Sequence, residues 1–338
     1  MIRSKKNPIK KVNKKTDKRF SWKLLLGFIL FQLIFTVVTA PFVLLYGPFE
    51  QAKKTYVGSA MKTMSNQWLA TTFLSDQRIS EIIGSNKSSV DVETQDNSLI
   101  EIPKVKDDTI EQLFLDKNPK FTGHVLIIKD PTRVKVGVTS KLGKEGETVT
   151  AIAERYDAVA AINGGYFTDN PGAQEWTQNG GTPVGYLMSE GKELCNEVGK
   201  DSTPIVAITQ DGNMLLGDLT VAQLKKDKVT EAMTYRATLV KNGNEVPITI
   251  QEGTSPRTMI GQRKDGAIVF VVLDSKLPGG RIAATLEEAQ QVMIKLDCWN
   301  AVNLDGGKST TMYLNGEVIN NPSNALGERT IASGFIVK

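Results

Sequence analysis

Three patterns of apolar and polar positions follow one another along the chain. Over 24–46 the side chains are almost wholly apolar, broken by Gln32, Thr36, Thr39 and Pro41. At a rise of about 1.5 Å per residue the run can cross a hydrocarbon layer of about 30 Å, so it predicts a transmembrane helix. A cleaved signal peptide is the competing reading, with Val38-Thr39-Ala40 supplying small residues. The length of the run and Pro41 directly after the cut weigh against it. From Gly58 to Ile83 the apolar residues Met61, Met64, Trp68, Leu69, Phe73, Ile79, Ile82 and Ile83 are spaced by charged and amide residues. That period predicts one or two amphipathic helices, read as a stalk. The polar stretches at 84–89 and 96–98 then read as a flexible passage, with a boundary near residue 120.

After Phe121 the pattern shortens to that of strands, at 125–128, 133–138, 158–162, 184–188, 205–209, 237–240, 259–261 and 268–273. Asp211-Gly212-Asn213, Lys241-Asn242-Gly243, Lys264-Asp265-Gly266 and Asn315-Gly316 supply the residues that hairpin turns with positive φ require. Helices are fewer: 148–155, 220–226 and, best marked, 286–296. There Thr285 and Glu288 stand in capping-box spacing, and Leu286, Ala289, Val292, Met293 and Leu296 share a face. The expected fold is α+β: a mixed, largely antiparallel sheet with a few packed helices, preceded by a single transmembrane helix and a helical stalk. The division reads as a basic cytoplasmic tail over 1–23, the membrane helix over 24–46, stalk and linker over 47–120, and a folded body over 121–338.

Charge changes this picture in one respect. Of the formal net charge of +4, residues 1–23 contribute +9, which leaves the remainder at −5. No basic body exists to clamp nucleic acid. The same basic block keeps the N-terminus cytoplasmic by the positive-inside rule. The expectation is a single-pass plasma-membrane protein, in contact with the bilayer through 24–46, with its body outside the cytoplasm.

The residues available for chemistry are few. Cys195 and Cys298 could form a disulfide or stay as two buried thiols, and with the single His124 they cannot make a Cys/His zinc site of the usual kind. His124 opens a strand signal, where a structural role is the commoner one. Carboxylate chemistry remains. The strand signal at 301–304 runs into Asp305-Gly306-Gly307-Lys308-Ser309-Thr310, and that at 158–162 into Asn163-Gly164-Gly165. Two buried strands ending in a polar residue and paired glycines point to one shared site. Gly307-Lys308-Ser309 imitates the end of a P-loop, but Val302 stands where its first glycine belongs. Arg257 and Arg329 each lie beside a strand signal, and a guanidinium fork suits an anion.

Taken in order, Asn163-Gly164-Gly165-Tyr166-Phe167, Pro256-Arg257-Thr258 with Ile260-Gly261, the segment 303–307 with Ser309-Thr310-Thr311-Met312, Asn321-Pro322-Ser323 and Glu328-Arg329 resemble the phosphodiester glycosidase domain. That family includes an uncovering enzyme for N-acetylglucosamine phosphodiesters and bacterial proteins labelled for exopolysaccharide biosynthesis. The resemblance covers roughly 121–338. It implies cleavage between an anomeric carbon and a phosphate in an envelope or exopolysaccharide glycan, giving sugar and a phosphomonoester. Asp305 would be the catalytic carboxylate, with Arg257 and Arg329 near the phosphate. Asn163, Gly164, Gly165, Gly306, Gly307, Ser309 and Thr310 would contact substrate, and Asp274, Lys308 and Glu328 are secondary candidates. No cofactor is required; a divalent cation on Asp305 and nearby asparagines has no ligand run behind it. No protein partner is indicated. Lys308, where the family often has glycine, and Asp274-Ser275-Lys276, where it has Asp-Gly-Arg, support a rival class, a non-catalytic binder of anionic glycan. Transfer to an acceptor other than water would use the same site.

Overall fold

The computed structural model describes residues 21–61, 67–83, 94–168, 179–249, 253–277, 282–324 and 327–338. The chain falls into two compact units, 1–50 and 51–338. In the first, Trp22–Tyr46 is a helix of 25 residues, long and apolar enough to cross a membrane. Apolar side chains are exposed all round it, Leu24, Phe28, Phe31, Phe35 and Val38 among them. That is not the pattern of an amphipathic surface helix, which keeps one polar face.

In the second unit, helices Trp68–Thr71 and Asp76–Ile83 follow Glu50–Met61. The chain joins the body earlier than the expected boundary at 120. Ile110–Leu115 pairs antiparallel along its whole length with Phe121–Ile128, Gln95 and Asn97 donate to the Met214 carbonyl, and Trp299 Nε1 donates to that of Asp96. The strand escapes pattern reading because it is a sheet edge with Glu111, Gln112, Leu113 and Phe114 all exposed, so no buried face imposes alternation.

The body is built on three larger antiparallel sheets. One has seven strands in the order Ile110–Leu115, Phe121–Ile128, Ile268–Ser275, Arg257–Arg263, Cys298–Asn303, Ala237–Lys241 and Asn244–Glu245. A second runs Met214–Leu219, Thr203–Thr209, Val229–Thr234, Tyr186–Ser189 and Lys192–Asn196. The third runs Glu317–Val318, Met312–Leu314, Ala160–Asn163, Ser333–Val337 and Val134–Val138. The alternation of the central strands assigns their faces. Leu126, Ile128, Ile260, Phe270, Val272 and Val302 enter a core shared with Ile162, Phe335, Val206 and Ile208 of the other two sheets. Val125, Ile127, Met259, Val269, Val271 and Ala301 turn the opposite way, onto Leu286, Ala289 and Met293 of helix Leu286–Lys295. Both faces are thereby buried, which is why these strands read as continuous apolar runs.

Each outer face has a short capped helix. Thr285 and Glu288 form the predicted capping box, Thr220 caps Val221–Lys226, and Thr148 caps Val149–Arg155. Asn242-Gly243 and Asn315-Gly316 take positive φ at both positions, at 53° and 74° and at 49° and 98°. Those are the hairpin turns their sequences call for. Cys195 and Cys298 are unbridged thiols.

Candidate active site

Strand register brings the candidate residues to one edge of the body. Asn303, last in its strand, lies opposite Ala237, first in the next strand, and opposite Met259, two residues after the start of another. Arg257 pairs with Leu273, immediately before Asp274, and Asn163 pairs with Gly334 near the start of the final strand. Asp305 emerges where these ends meet.

The Asp305 backbone is fixed from both sides by the Asn163-Gly164 segment. Its N–H donates to the Gly164 carbonyl at 3.0 Å, and its carbonyl accepts from Asn163 Nδ2 at 2.8 Å. Asn163 is fully buried. Its Oδ1 accepts from the Thr258 hydroxyl at 2.6 Å and from the Thr311 N–H at 3.1 Å. One amide therefore ties together the ends of four segments, and the side chain expected to meet substrate is committed to protein. Gly164 and Gly165 serve packing in the same way: a Cβ at Gly164 would sit 2.7 Å from Met233 Sδ, and at Gly165 3.1 Å from the Thr234 carbonyl. At Gly306 it would meet the Pro256 carbonyl at 2.7 Å, whereas Gly307, at φ +63°, faces open space. Of the four glycines, Gly307 alone leaves room for a ligand to approach the backbone.

The Asp305 carboxyl is partly enclosed, and burial raises its pKa. Ser309, the Arg329 guanidinium, the Gly306 N–H and the Arg236 guanidinium pull in the other direction without cancelling the rise. Ser309 exerts this pull from outside the geometry of a formed hydrogen bond. Its Oγ, with the hydroxyls of Thr310 and Thr311, is buried without a hydrogen-bond partner among the described residues. Arg329 lies over the Phe167 ring at 4.8 Å and Arg236 over Tyr166 at 5.6 Å, each to the ring centroid. Lys308 is exposed on the turn Gly307–Ser309.

Three expected residues take other positions. Arg257 is 2% exposed; its Nε donates to the Ala284 carbonyl at 3.1 Å and an Nη to that of Gly253 at 3.0 Å. Alternation sets it on the helix-facing side with Met259, where these two bonds brace the start of its strand. Glu328 accepts from the Thr150 N–H at 3.0 Å, at the first turn of Val149–Arg155. The helix end supplies the unsatisfied donor it meets. Asp274 is buried with both oxygens occupied, by Asn320 Nδ2 at 2.9 Å and the Asn321 N–H at 2.8 Å. Asn320 also donates to the Thr310 carbonyl and accepts from the Met312 N–H. Asp274 thus braces the segment carrying Asp305.

Burial pushes the Asp274 carboxyl up to about 6, against the pull of its two donors. A carboxyl with its pKa raised on folding binds its proton more tightly when folded, so the stability it confers is complete at low pH and declines between its ordinary value of 3.8 and about 6. Denaturation midpoints across that window should show wild type losing up to about 3 kcal/mol relative to Asp274→Asn as pH rises. A constant difference would show that the carboxyl is not perturbed.

Sequence reasoning did not find Arg236 or Asn320. The sign of Arg236 was faint, a lone guanidinium directly before the strand signal at 237–240. His124 pairs across strands with Phe114 and Val272, its ring 5.0 Å from that of Phe114, and burial lowers its pKa.

A sequence model of the family described as phosphodiester glycosidase matches residues 156–338, more than half of the chain. This chain belongs to the phosphodiester glycosidase family. Among curated relatives it is similar to human N-acetylglucosamine-1-phosphodiester alpha-N-acetylglucosaminidase, 26% identical over 196 residues that are 52% of this chain and 36% of that one. It is also similar to the prophage-derived protein YomE of Bacillus subtilis, 30% identical over 222 residues, 62% of this chain and 31% of that one. The chain thus spans about a third of the length of these relatives. The zebrafish N-acetylglucosamine-1-phosphodiester alpha-N-acetylglucosaminidase catalytic domain shares the fold. Its TM-score is 0.58 at 22% identity, over 70% of this chain and 86% of that one.

Proposed function

We propose that this chain is a membrane-anchored glycosidase that cleaves glycosyl phosphodiesters outside the cytoplasm, releasing a sugar and a phosphomonoester. The observation that carries the reading is the Asp305 carboxyl, its backbone gripped at both N–H and carbonyl and its charge faced by guanidinium groups. A sugar alkoxide leaves badly, so most glycosidases need a general acid beside their second carboxylate. A phosphomonoester is a far better leaving group. Asp305, attacking the anomeric carbon itself or through water, with guanidinium charge to stabilise the departing phosphate, meets the demand without a second acid.

The anchor is the helix Trp22–Tyr46, and the basic residues over 1–23 favour a cytoplasmic N-terminus. The substrate class that fits this location is a phosphodiester-linked envelope or exopolysaccharide glycan. The experiment is incubation of the full chain, in detergent, with an N-acetylglucosamine-1-phosphodiester and related glycosyl phosphodiesters, following free sugar and phosphomonoester with and without chelator. Equal release of both products is expected. A folded chain that turns over none of these substrates would remove the proposal.

A further inference from the structure

Asp305 runs directly into Gly306 and Gly307, and two adjacent glycines leave a backbone that does not hold its own shape. The stretch after the carboxyl is therefore fixed from outside, by the segment 319–323 that returns beside it. The Ile319 N–H donates to the Met312 carbonyl at 2.9 Å, and the Met312 N–H donates to Asn320 Oδ1 at 2.7 Å. Asn320 Nδ2 donates to the Thr310 carbonyl at 3.2 Å, and the Ser323 hydroxyl donates to the Gly307 carbonyl at 3.2 Å. The returning segment has its own anchor on another strand. Asp274, in strand Ile268–Ser275, accepts from Asn320 Nδ2 at 2.9 Å and from the Asn321 N–H at 2.8 Å. The Asn320 amide thus sets one donor on a carboxylate of the seven-stranded sheet, and its other donor and its acceptor on the chain that follows Asp305. With both donors and the acceptor in use it has a single orientation, so it transmits position as well as cohesion.

We propose that Asn320 is a positioning residue of the active site: its amide sets the turn after Asp305 against Asp274, while Ser323 holds the Gly307 end of the same turn. The inference rests on the glycosidase reading, in which Asp305 reacts at the anomeric carbon. Asn163 and the Gly164 carbonyl fix the backbone of Asp305 itself. Asn320 and Ser323 fix what comes next, the turn Gly307–Ser309, whose Gly307 faces open space. Binding contacts tolerate a small displacement of this turn, but attack at a carbon does not: a misplacement of about 1 Å costs on the order of 10²-fold in rate. Loosening the turn is therefore expressed in kcat more than in KM.

The test is steady-state turnover of a glycosyl phosphodiester by the full chain in detergent, well below the melting temperature of every variant, with amide hydrogen exchange over 306–312 followed in parallel. Asn320→Asp keeps the acceptor for the Met312 N–H, loses both donors and sets a second carboxylate against Asp274. It should lower kcat by about 10²-fold with KM within about threefold of wild type, and speed exchange across the turn by about tenfold. Adding Asp274→Asn reverses the pair: the amide at position 274 donates to the carboxylate at position 320 and still accepts the Asn321 N–H. The combined variant lacks only the bond to the Thr310 carbonyl, and its kcat and exchange should recover by about tenfold over the single change. If Asn320→Asp does not fold, Ser323→Ala reads the same turn, with kcat down about three- to tenfold and KM unchanged. A folded Asn320→Asp with wild-type kcat and only a lower melting temperature, or a combined variant no better than the single one, overturns the proposal. Hydrogen exchange separates this from the reaction itself. A wild type that cleaves no glycosyl phosphodiester while its exchange over 306–312 depends on Asn320 rejects the reaction and keeps the hold on the turn; exchange independent of Asn320 overturns that hold whatever the activity.

Discussion

Asp305→Asn is expected to lower phosphomonoester release by about 10²- to 10⁴-fold while leaving the melting temperature at or above that of wild type. The two halves of the result have one cause. Folding raises the Asp305 pKa because enclosure penalises the carboxylate more than Ser309, Arg329, the Gly306 N–H and Arg236 compensate it. The ionised group is therefore held at a net cost to stability at neutral pH, and a neutral isostere removes that cost together with the reaction. A site whose charge served stability would lose both activity and melting temperature on the same change. The pH profile of wild type carries the corresponding sign: activity needs the carboxylate, so it is lost as pH falls through a pKa above the ordinary aspartate value. A variant as active as wild type would take Asp305 out of the mechanism, and activity unchanged on acidification through the ordinary aspartate value of 3.8 would take its ionised form out.

How much of this was legible in the sequence depends on the distance over which each fact is decided. The apolar runs from Val125 to Ile128 and from Ile268 to Leu273 are local, and each falls inside a strand, Phe121–Ile128 and Ile268–Ser275. The capping box at Thr285 and the turns at Asn242-Gly243 and Asn315-Gly316 are local too. Arg236 comes near enough to act on the Asp305 carboxyl only because Ala237 registers with Asn303 across 66 positions of sequence. No window of composition carries that pairing. Arg257 shows the converse case. Its motif is conspicuous, but the parity of a strand buried on both faces sends its guanidinium towards the helix and the carbonyls of Ala284 and Gly253. Parity was available from Met259 and Ile260; which face carried the site was not. The paired glycines are legible as places of close approach, but not what approaches: Gly164, Gly165 and Gly306 admit neighbouring protein atoms, and of the four Gly307 alone opens outward.

The hydrogen bonds of Asn163 make a second large effect. Asn163→Asp changes one atom in size hardly at all and reverses its sense: an oxygen replaces the Nδ2 that donates to the Asp305 carbonyl at 2.8 Å. Two acceptors then face each other in a fully buried place, while the remaining oxygen still receives Thr258 and Thr311. The new carboxyl can donate to that carbonyl only when protonated, so its pKa must rise well above the ordinary range. At neutral pH the variant should lose about 3–5 kcal/mol of stability, the scale of a buried charge left without compensation, with phosphomonoester release falling because the Asp305 backbone loses one of its two anchors. A raised acid pKa gives stability that returns as pH falls, so the melting temperature of Asn163→Asp should climb towards that of wild type on acidification to about pH 5. Asn163→Ala, which leaves the Asp305 carbonyl, the Thr258 hydroxyl and the Thr311 N–H without this partner at every pH, should be destabilised by about 2–5 kcal/mol with no such recovery. Parallel pH dependences for the two variants would mean that the amide does not hold Asp305 through its donor, and the grip on the carboxylate would have to be assigned to the Gly164 carbonyl alone.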